Sequence, residues 1–187
     1  MTRTFPRTPI GSGRSTADGP FVLYAGRKHS TKNTSVLVEG FRAFADGGHP
    51  DVRLILIGPG RVALPDGEER IIDLGFVSEQ DKRDAYAAAT VLCQPSLNES
   101  FSLVMMEAWA CGTPCLVHGD CRVTRDHVVA SGGGLYFTNT PEFVATLNYL
   151  VSNPATAREM GEAGGRYVRT NFSWGRIIDR YCEEVFA

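Results

Sequence analysis

The sequence predicts an α/β fold: a three-layer, Rossmann-like domain with a parallel six-stranded sheet and helices on both faces. Three observations lead to this fold. Short apolar runs alternate with segments of helical periodicity along most of the chain. The runs are apolar at successive positions, which is typical of strands buried on both faces of a parallel sheet. Glycine, basic and acidic residues follow several runs directly, at the edge where ligands bind in such folds.

Each element has its own signal. Strands are predicted at residues 21–25, 52–57, 71–76, 91–93, 115–118 and 135–137. Helices are predicted at 34–45, 78–89, 101–110, 123–130, 140–151, from 154 towards 168, and at 174–186. Ser78 and Asp81 form a capping-box pattern, Thr140-Pro141-Glu142 is a typical helix start, and Gly112 stands where a helix would end.

Composition indicates one domain with a proper core. The chain has 187 residues, of which 43% are hydrophobic. Residues 1–20 are rich in Arg, Thr, Ser, Gly and Pro without apolar periodicity, so we expect a flexible leader or an interdomain linker there. The folded domain is expected to span residues 21–187.

Charge and cysteine content exclude several classes of partner. A net charge of −2 gives no reason to expect nucleic-acid binding. No apolar run approaches the ~20 residues that a transmembrane helix needs. The five cysteines include no CxxC pair, so no zinc site is predicted and a reducing compartment is the simplest assignment. We therefore expect a cytoplasmic protein, with peripheral membrane association left open.

The stretch from residue 95 to residue 114 carries the strongest chemical signal. An apolar strand ends at Pro95, a short polar loop follows, and a helix is expected to begin within residues 100–103. Free amides and the helix dipole at such a start favour a phosphate. Glu99 in the loop and Glu107 two turns into the helix flank this position. A carboxylate on a core-packed helix needs hydrogen-bond donors, and sugar hydroxyls would supply them.

Two further loops after strands carry candidate ligand groups. Gly26, Arg27 and Lys32 follow the first strand and suit a diphosphate. Gly58 follows the second strand, where an ordinary tight turn explains it equally well. The neighbouring Lys28 and His29 are assigned to an ordinary exposed basic loop, and His118 to a structural polar residue.

The segment PSLNESFSLVMMEAWACGTPCL, with Glu99 followed by Phe101 and, eight residues on, by Glu107, resembles the signature of the family 4 retaining glycosyltransferases. These enzymes have the GT-B fold of two Rossmann-like domains. The signature lies in their C-terminal domain, which binds the nucleotide-sugar donor. The resemblance covers nearly the whole chain from residue 21 onwards. One departure is that serine stands at Ser100 and Ser102, where the family usually has glycine.

The resemblance implies a role for each candidate. Glu99 would bind the transferred sugar and Glu107 the ribose, while Arg27 and Lys32 would stabilise the leaving diphosphate. Backbone at Phe76 and Val77 would touch the nucleobase, for which core packing of both side chains is an equal alternative. The donor site as a whole would comprise the catalytic residues Arg27, Lys32 and Glu99, together with Gly26, Gly58, Phe76, Val77, Ser100, Phe101, Ser102, Leu103 and Glu107.

The resemblance also concerns partners. The donor would be a nucleotide diphosphate sugar, with no metal and no other cofactor. An N-terminal acceptor-binding domain, expected to be absent from this chain, would complete the enzyme. The aromatic residues Phe172, Trp174 and Tyr181 are expected in the core, although in the family this region also packs towards the other domain.

Other functions remain open from the sequence. A non-catalytic module that binds a nucleotide sugar is the main alternative, and a GT-B epimerase is a weaker one. A nicotinamide-dependent Rossmann enzyme is disfavoured because no G-x-G-x-x-G pattern follows the first strand.

Overall fold

The computed structural model describes residues 19–186 and has the predicted α/β architecture. Six strands form one sheet in the order β3-β2-β1-β4-β5-β6, and every pairing is parallel. The prediction of a parallel six-stranded sheet is thus confirmed. Residues 1–18 of the predicted leader lie outside the described residues, so the boundary at residue 20 stays a prediction.

The elements match the predicted ones closely. The strands are β1 Phe21–Ala25, β2 Arg53–Ile57, β3 Ile71–Gly75, β4 Val91–Gln94, β5 Cys115–His118 and β6 Gly134–Phe137. The α-helices are α1 Thr34–Asp46, α2 Glu79–Ala88, α3 Leu103–Ala110, α4 Arg122–Ser131, α5 Thr140–Ser152, α6 Pro154–Asn171 and α7 Trp174–Phe186. A short 3-10 helix, Ser30–Lys32, precedes α1. The expected cap of α2 is present, since Ser78 accepts from the amide of Asp81. For α5 the cap is Asn139, which accepts from the amide of Glu142, and Thr140, the expected cap, is the first helical residue.

The start of α3 lies at the last residue of the predicted range, 100–103. The helix begins at Leu103, two residues later than the composition indicated, because Ser102 has a left-handed backbone with φ 67°. A residue in that conformation cannot continue a right-handed helix. Ser102 is also buried, and its hydroxyl has no hydrogen-bond partner within residues 19–186.

Two cores lie on opposite faces of the sheet. One contains α1 and α5, with Leu37, Phe41 and Phe143 among its buried residues. The other, which we call the α2–α3 core, contains α2, α3 and α6. It is centred on the fully buried Trp109, whose indole N–H donates to the carbonyl of Gly133 at 2.7 Å. Helix α6 approaches α3 closely because it carries glycine where a side chain would collide.

The expected core position of the C-terminal aromatic residues is only partly correct. Phe172 packs edge-on against Phe101, with ring centroids 5.0 Å apart. Trp174 and Tyr181 on α7 are instead 79% and 62% exposed. The reason is that α7 packs against α6 alone among the neighbours with substantial contact, so its apolar face stays uncovered.

The strand order fixes where a ligand can bind. The chain proceeds from β1 outwards to β2 and β3, and then returns to place β4 on the other side of β1. The connections after β1 and β4 therefore diverge and leave a crevice at the carboxyl edge, the usual ligand position in open α/β sheets. Within residues 19–186, no helix is long and apolar enough to cross a membrane.

The α3–α6 contact can be tested with one pair of substitutions. A Cβ at Gly161 would overlap the carbonyl oxygen of Gly112, whereas a Cβ at Gly175 would meet nothing within 4 Å. Gly161→Ala should lower the unfolding free energy by about 1–3 kcal/mol, as overpacking does. Gly175→Ala should raise it by up to about 1 kcal/mol through helix propensity. Urea denaturation measures both, and equal effects would contradict the close packing.

The backbone at Ser102 predicts an unusual gain in stability. Ser102→Gly should raise the unfolding free energy by about 1 kcal/mol, because glycine adopts positive φ without the cost that an L-residue bears. Ser100, two residues away, is not among the positive-φ residues. Ser100→Gly should therefore lower the unfolding free energy by about 0.5–1 kcal/mol. A loss of stability in both variants, measured by thermal and urea unfolding, would contradict the strained conformation.

Candidate functional site

The crevice lies between two loops, which we call the β1 loop (residues 26–33) and the β4 loop (residues 95–102). The phenol of Tyr24 fixes the first by donating to the carbonyl of Arg27 at 2.7 Å. The amide side chain of Asn33 joins the two loops by donating to the carbonyl of Pro95 at 3.1 Å. Both loops are thus held in place where the connections after β1 and β4 diverge.

Two of the predicted catalytic residues meet across the crevice. Lys32 Nζ lies 2.7 Å from Glu99 Oε1. The same oxygen accepts a second hydrogen bond, at 2.8 Å, from Nε2 of Gln94. The Glu99 side chain is only 10% exposed, so these two donors replace most of its hydration. The negative charge of Glu99 also contributes, after burial, to a raised pKa of the Tyr24 phenol.

Arg27 is an unpaired cation in the β1 loop. Its residue is exposed, and its guanidinium forms no ion pair or hydrogen bond with the part of the chain from 19 to 186. Five N–H donors in a planar fork suit an anionic oxygen group. The β1 loop therefore offers a free positive charge in addition to the ion pair of Lys32 and Glu99.

The assignment of Lys28 to an exposed basic loop is wrong. Lys28 is 4% exposed, and its ammonium lies 2.9 Å from Asp73 Oδ1 and donates to the carbonyl of Gly58. Asp73 Oδ1 also accepts from the amide of Gly75 at 2.9 Å. A buried lysine requires such partners because a bare ammonium in the interior is costly. Lys28 thus joins the ends of β1, β2 and β3.

Glycine is required at position 58 for a structural reason, a close backbone contact that the sequence alone did not reveal. Its φ is 114°, and a Cβ there would overlap the carbonyl oxygen of Gly26. The two glycines therefore allow the connections after β1 and β2 to touch. At the end of β3, Phe76 is 82% exposed while Val77 packs partly against the α2–α3 core. The alternative of core packing holds for Val77 and fails for Phe76.

Glu107 has protein partners in place of the expected sugar hydroxyls. Its carboxylate accepts from the Tyr86 hydroxyl at 2.9 Å and lies 3.3 Å from Lys82 Nζ. Its side chain is 41% exposed, so it remains open to a ligand. Burial, then the charge of Glu107, raises the pKa of Tyr86 and keeps its phenol protonated as a donor. For Lys82, burial lowers the pKa, but its bonds to Glu79 and Glu107 outweigh this and the pKa rises.

The four residues from Ser100 to Leu103 separate into different environments. Phe101 points away from solvent into an aromatic cluster with His127 and Phe172. Leu103 is 68% exposed at the first position of α3. Since free amides belong to the first turn of a helix, the later start of α3 moves them from Ser100 to residue 103 and beyond.

The sequence analysis assigned no role to three residues of this edge, Gln94, Lys82 and Tyr86, and placed a fourth, Lys28, in an exposed loop. A weak signal existed for some of them. Gln94 is a polar residue at the end of an apolar run, and Lys82 and Tyr86 are four apart on one helix face. His118 is buried and accepts from the amide of Asp120 at 3.2 Å, in agreement with a structural role. No group of three metal-ligating side chains occurs within residues 19–186.

Comparisons with known proteins agree with this geometry. The family described as "Glycosyl transferases group 1" matches residues 11–166. The D-inositol 3-phosphate glycosyltransferase of Xylanimonas cellulosilytica is 37% identical over 186 residues, covering 89% of this chain and 43% of that protein. The chain thus spans less than half the length of this curated relative.

Solved structures show the same fold. Sucrose-phosphate synthase from Thermosynechococcus elongatus superposes with a TM-score of 0.76 at 26% identity, over 91% of this chain and 46% of that one. HepE from Anabaena, solved with UDP and glucose, superposes with a TM-score of 0.77 at 19% identity, over 92% and 49%. With a family match over most of its length, the chain belongs to the glycosyl transferases group 1 family.

Proposed function

We propose that residues 21–187 form the donor-binding domain of a retaining hexosyltransferase that uses a nucleotide diphosphate sugar. The observation that carries this proposal is the contact of Lys32 with Glu99 across the crevice, beside the unpaired Arg27. The two ends of such a donor differ in charge, and the crevice offers a cation and an anion side by side, one suited to each end. The diphosphate is anionic, whereas the sugar presents neutral hydroxyl donors.

The diphosphate would lie between the β1 loop and the start of α3. Arg27 would supply a charged fork, Lys32 a point charge, and the first turn of α3 free amides. Small residues would keep this space open: Gly26, Gly58, Ser100 and Ser102. Leu103, the first residue of α3, would supply one of the free amides. These groups stabilise the charge that develops as the nucleotide diphosphate leaves.

The two carboxylates would recognise hydroxyl groups. Glu107, held by Tyr86 and Lys82, would accept from the ribose, and Glu99 would accept from the sugar. Phe101 would hold the β4 loop through its aromatic contacts. The exposed Phe76, with the backbone of Val77, would line the nucleobase.

The proposed chemistry requires no metal. The bond between the anomeric carbon and the diphosphate oxygen breaks, and an acceptor hydroxyl forms the new bond on the same face. Its proton passes to the departing phosphate oxygen, so atoms and charge balance and the anomeric configuration is retained. Arg27 and Lys32 supply the positive charge that a metal ion supplies in other phosphate-transferring sites.

The acceptor would be held by a further, N-terminal domain, joined through the linker proposed at residues 1–20. The curated relative is more than twice as long as the matched region, which supports this arrangement. The exposed face of α7 supports it too, since Trp174, Ile177, Ile178, Tyr181 and Val185 are all exposed apolar residues on one helix. We propose a cytoplasmic location, with membrane association of the whole enzyme left open.

A non-catalytic nucleotide-sugar-binding module is the second candidate. The observation that favours it is Ser102, a strained and buried residue where the resemblance leads one to expect glycine. Transferase activity of the chain joined to an acceptor domain would favour the enzyme over the binding module.

A thermal-shift panel tests the proposed function directly. UDP, GDP and ADP, each free and as a glucose or mannose conjugate, should include at least one pair that raises the melting temperature in a concentration-dependent way, because ligands that bind only the folded state stabilise it. The absence of any shift at millimolar concentrations across the panel would overturn the donor-binding proposal.

The diphosphate role predicts the effect of removing each cation. Arg27→Ala and Lys32→Ala should each weaken binding of the free nucleotide diphosphate by roughly 1.5–3 kcal/mol, the usual worth of a hydrogen bond to a charged group. Calorimetric titration measures the change. Arg158→Ala is the control: it removes an exposed arginine of α6 that takes no part in the proposed site. This variant should leave the affinity unchanged. Unaltered affinity in both test variants would refute the assignment.

The two glutamates should differ in what they recognise. Glu107→Gln should weaken both the free diphosphate and the nucleotide sugar, because the neutral amide oxygen is a poorer acceptor for the ribose. Glu99→Gln should weaken only the sugar-bearing ligand. Paired titrations of both variants with both ligands provide the measurement, with Glu162→Gln on the exposed face of α6 as the control. Equal losses on both ligands from Glu99→Gln would mean that this residue does not bind the sugar.

A further inference from the structure

Gln94, at the last position of β4, has an unusual environment for a strand residue. It is 4% exposed and lies between the apolar run of β4 and Pro95. Because side chains alternate along a strand, Gln94 points to the same face of the sheet as Leu92. Leu92 belongs to the α2–α3 core, and so Gln94 lies on the face of the sheet that packs against α3.

The two polar atoms of the Gln94 amide are used unequally. Nε2 donates to Glu99 Oε1 at 2.8 Å. Oε1 is buried and accepts no hydrogen bond from residues 19–186. Only the nitrogen can face Glu99, because two acceptor oxygens at that distance would repel. The amide orientation is therefore fixed by the carboxylate, and Oε1 is left unpaired at a cost.

The hydrogen bond from Gln94 also fixes the direction in which the second carboxylate oxygen of Glu99, Oε2, points. Lys32 and Gln94 both donate to Oε1, at 2.7 and 2.8 Å. None of the hydrogen bonds made among residues 19–186 ends on Oε2 of Glu99. Two donors from different elements on one oxygen define the plane of the carboxylate. Lys32 alone would leave it free to rotate, since an ammonium has no directional preference of its own.

We propose that Gln94 is a positioning residue for sugar recognition: it holds the carboxylate of Glu99 so that Oε2 faces the hydroxyl groups of the transferred sugar. This inference rests on the proposed donor-binding function. The unpaired Oε1 of Gln94 is a cost of this arrangement, set against the hydrogen bond that Nε2 gives to the buried carboxylate. Gln94 acts through Glu99 and does not touch the diphosphate.

The test compares ligands that differ only in the sugar. The probes are UDP-glucose with UDP, and GDP-mannose with GDP, titrated calorimetrically into the wild-type chain and into Gln94→Leu. In the variant, affinity for the sugar-bearing probe should fall about tenfold relative to wild type, as expected for a lost charge-assisted hydrogen bond. Affinity for the matching free diphosphate should change less than twofold.

Two further variants separate positioning from folding. Gly161→Ala, expected to lower stability far from the crevice, should leave the affinity ratio of the two probes at its wild-type value. Gln94→Glu keeps the shape but places a second carboxylate against Glu99, and two such groups favour sharing one proton. The sugar-bearing probe should therefore bind the Gln94→Glu variant more tightly at pH 5.5 than at pH 8, relative to the free diphosphate.

The outcomes are distinguishable. Equal losses on both probes in Gln94→Leu, or a ratio in Gln94→Glu that does not vary with pH, would overturn the positioning role while wild-type binding leaves the proposed function intact. Failure of the wild-type chain to bind either pair of probes would overturn both proposals together.

Discussion

The contact between Lys32 and Glu99 is the interaction on which the arrangement of the crevice depends. It joins the β1 loop to the β4 loop, which leave adjacent strands and then diverge. A partly buried ion pair contributes little net stability, because loss of hydration offsets most of the attraction. Its effect is therefore on position: each charge holds the other in place where the connections after β1 and β4 diverge.

The same kind of pairing recurs along the carboxyl edge. Lys28 meets Asp73 under the ends of β1, β2 and β3, and Lys82 meets Glu107 between α2 and α3. Each pair links segments that are distant in sequence. Arg27 has no such partner within residues 19–186, so a chain with a net charge of −2 still carries an unpaired positive charge at this edge.

The α3–α6 contact gives these polar groups a rigid support. Trp109 is fully buried beneath the glycines of α6, and α3 is thereby fixed against the sheet. The position of α3 is therefore set by its packing against α6 and the sheet. Ser102, with its left-handed backbone, connects the β4 loop to the first residue of the helix. Phe101 completes the connection by packing against Phe172, at the junction of α6 and α7.

The sequence by itself determined the sheet, the helix order and the loops that carry the candidate site. Those features follow from local periodicity and from residues such as Pro95, Gly112 and Ser78, whose effects act within a few positions of the chain. It could not determine that Lys28 is buried, that Gln94 shares Glu99 with Lys32, or that Trp174 is exposed.

These features depend on pairs of residues from separate elements, such as Lys28 with Asp73 and Lys32 with Glu99. Whether a lysine is solvated or buried is a matter of which carboxylate the fold brings within about 3 Å, since that partner offsets the cost of lost hydration. No local pattern contains that distance. Only the tertiary structure, by setting β1 beside β4 and leaving one face of α7 uncovered, decided which of the predicted groups meet.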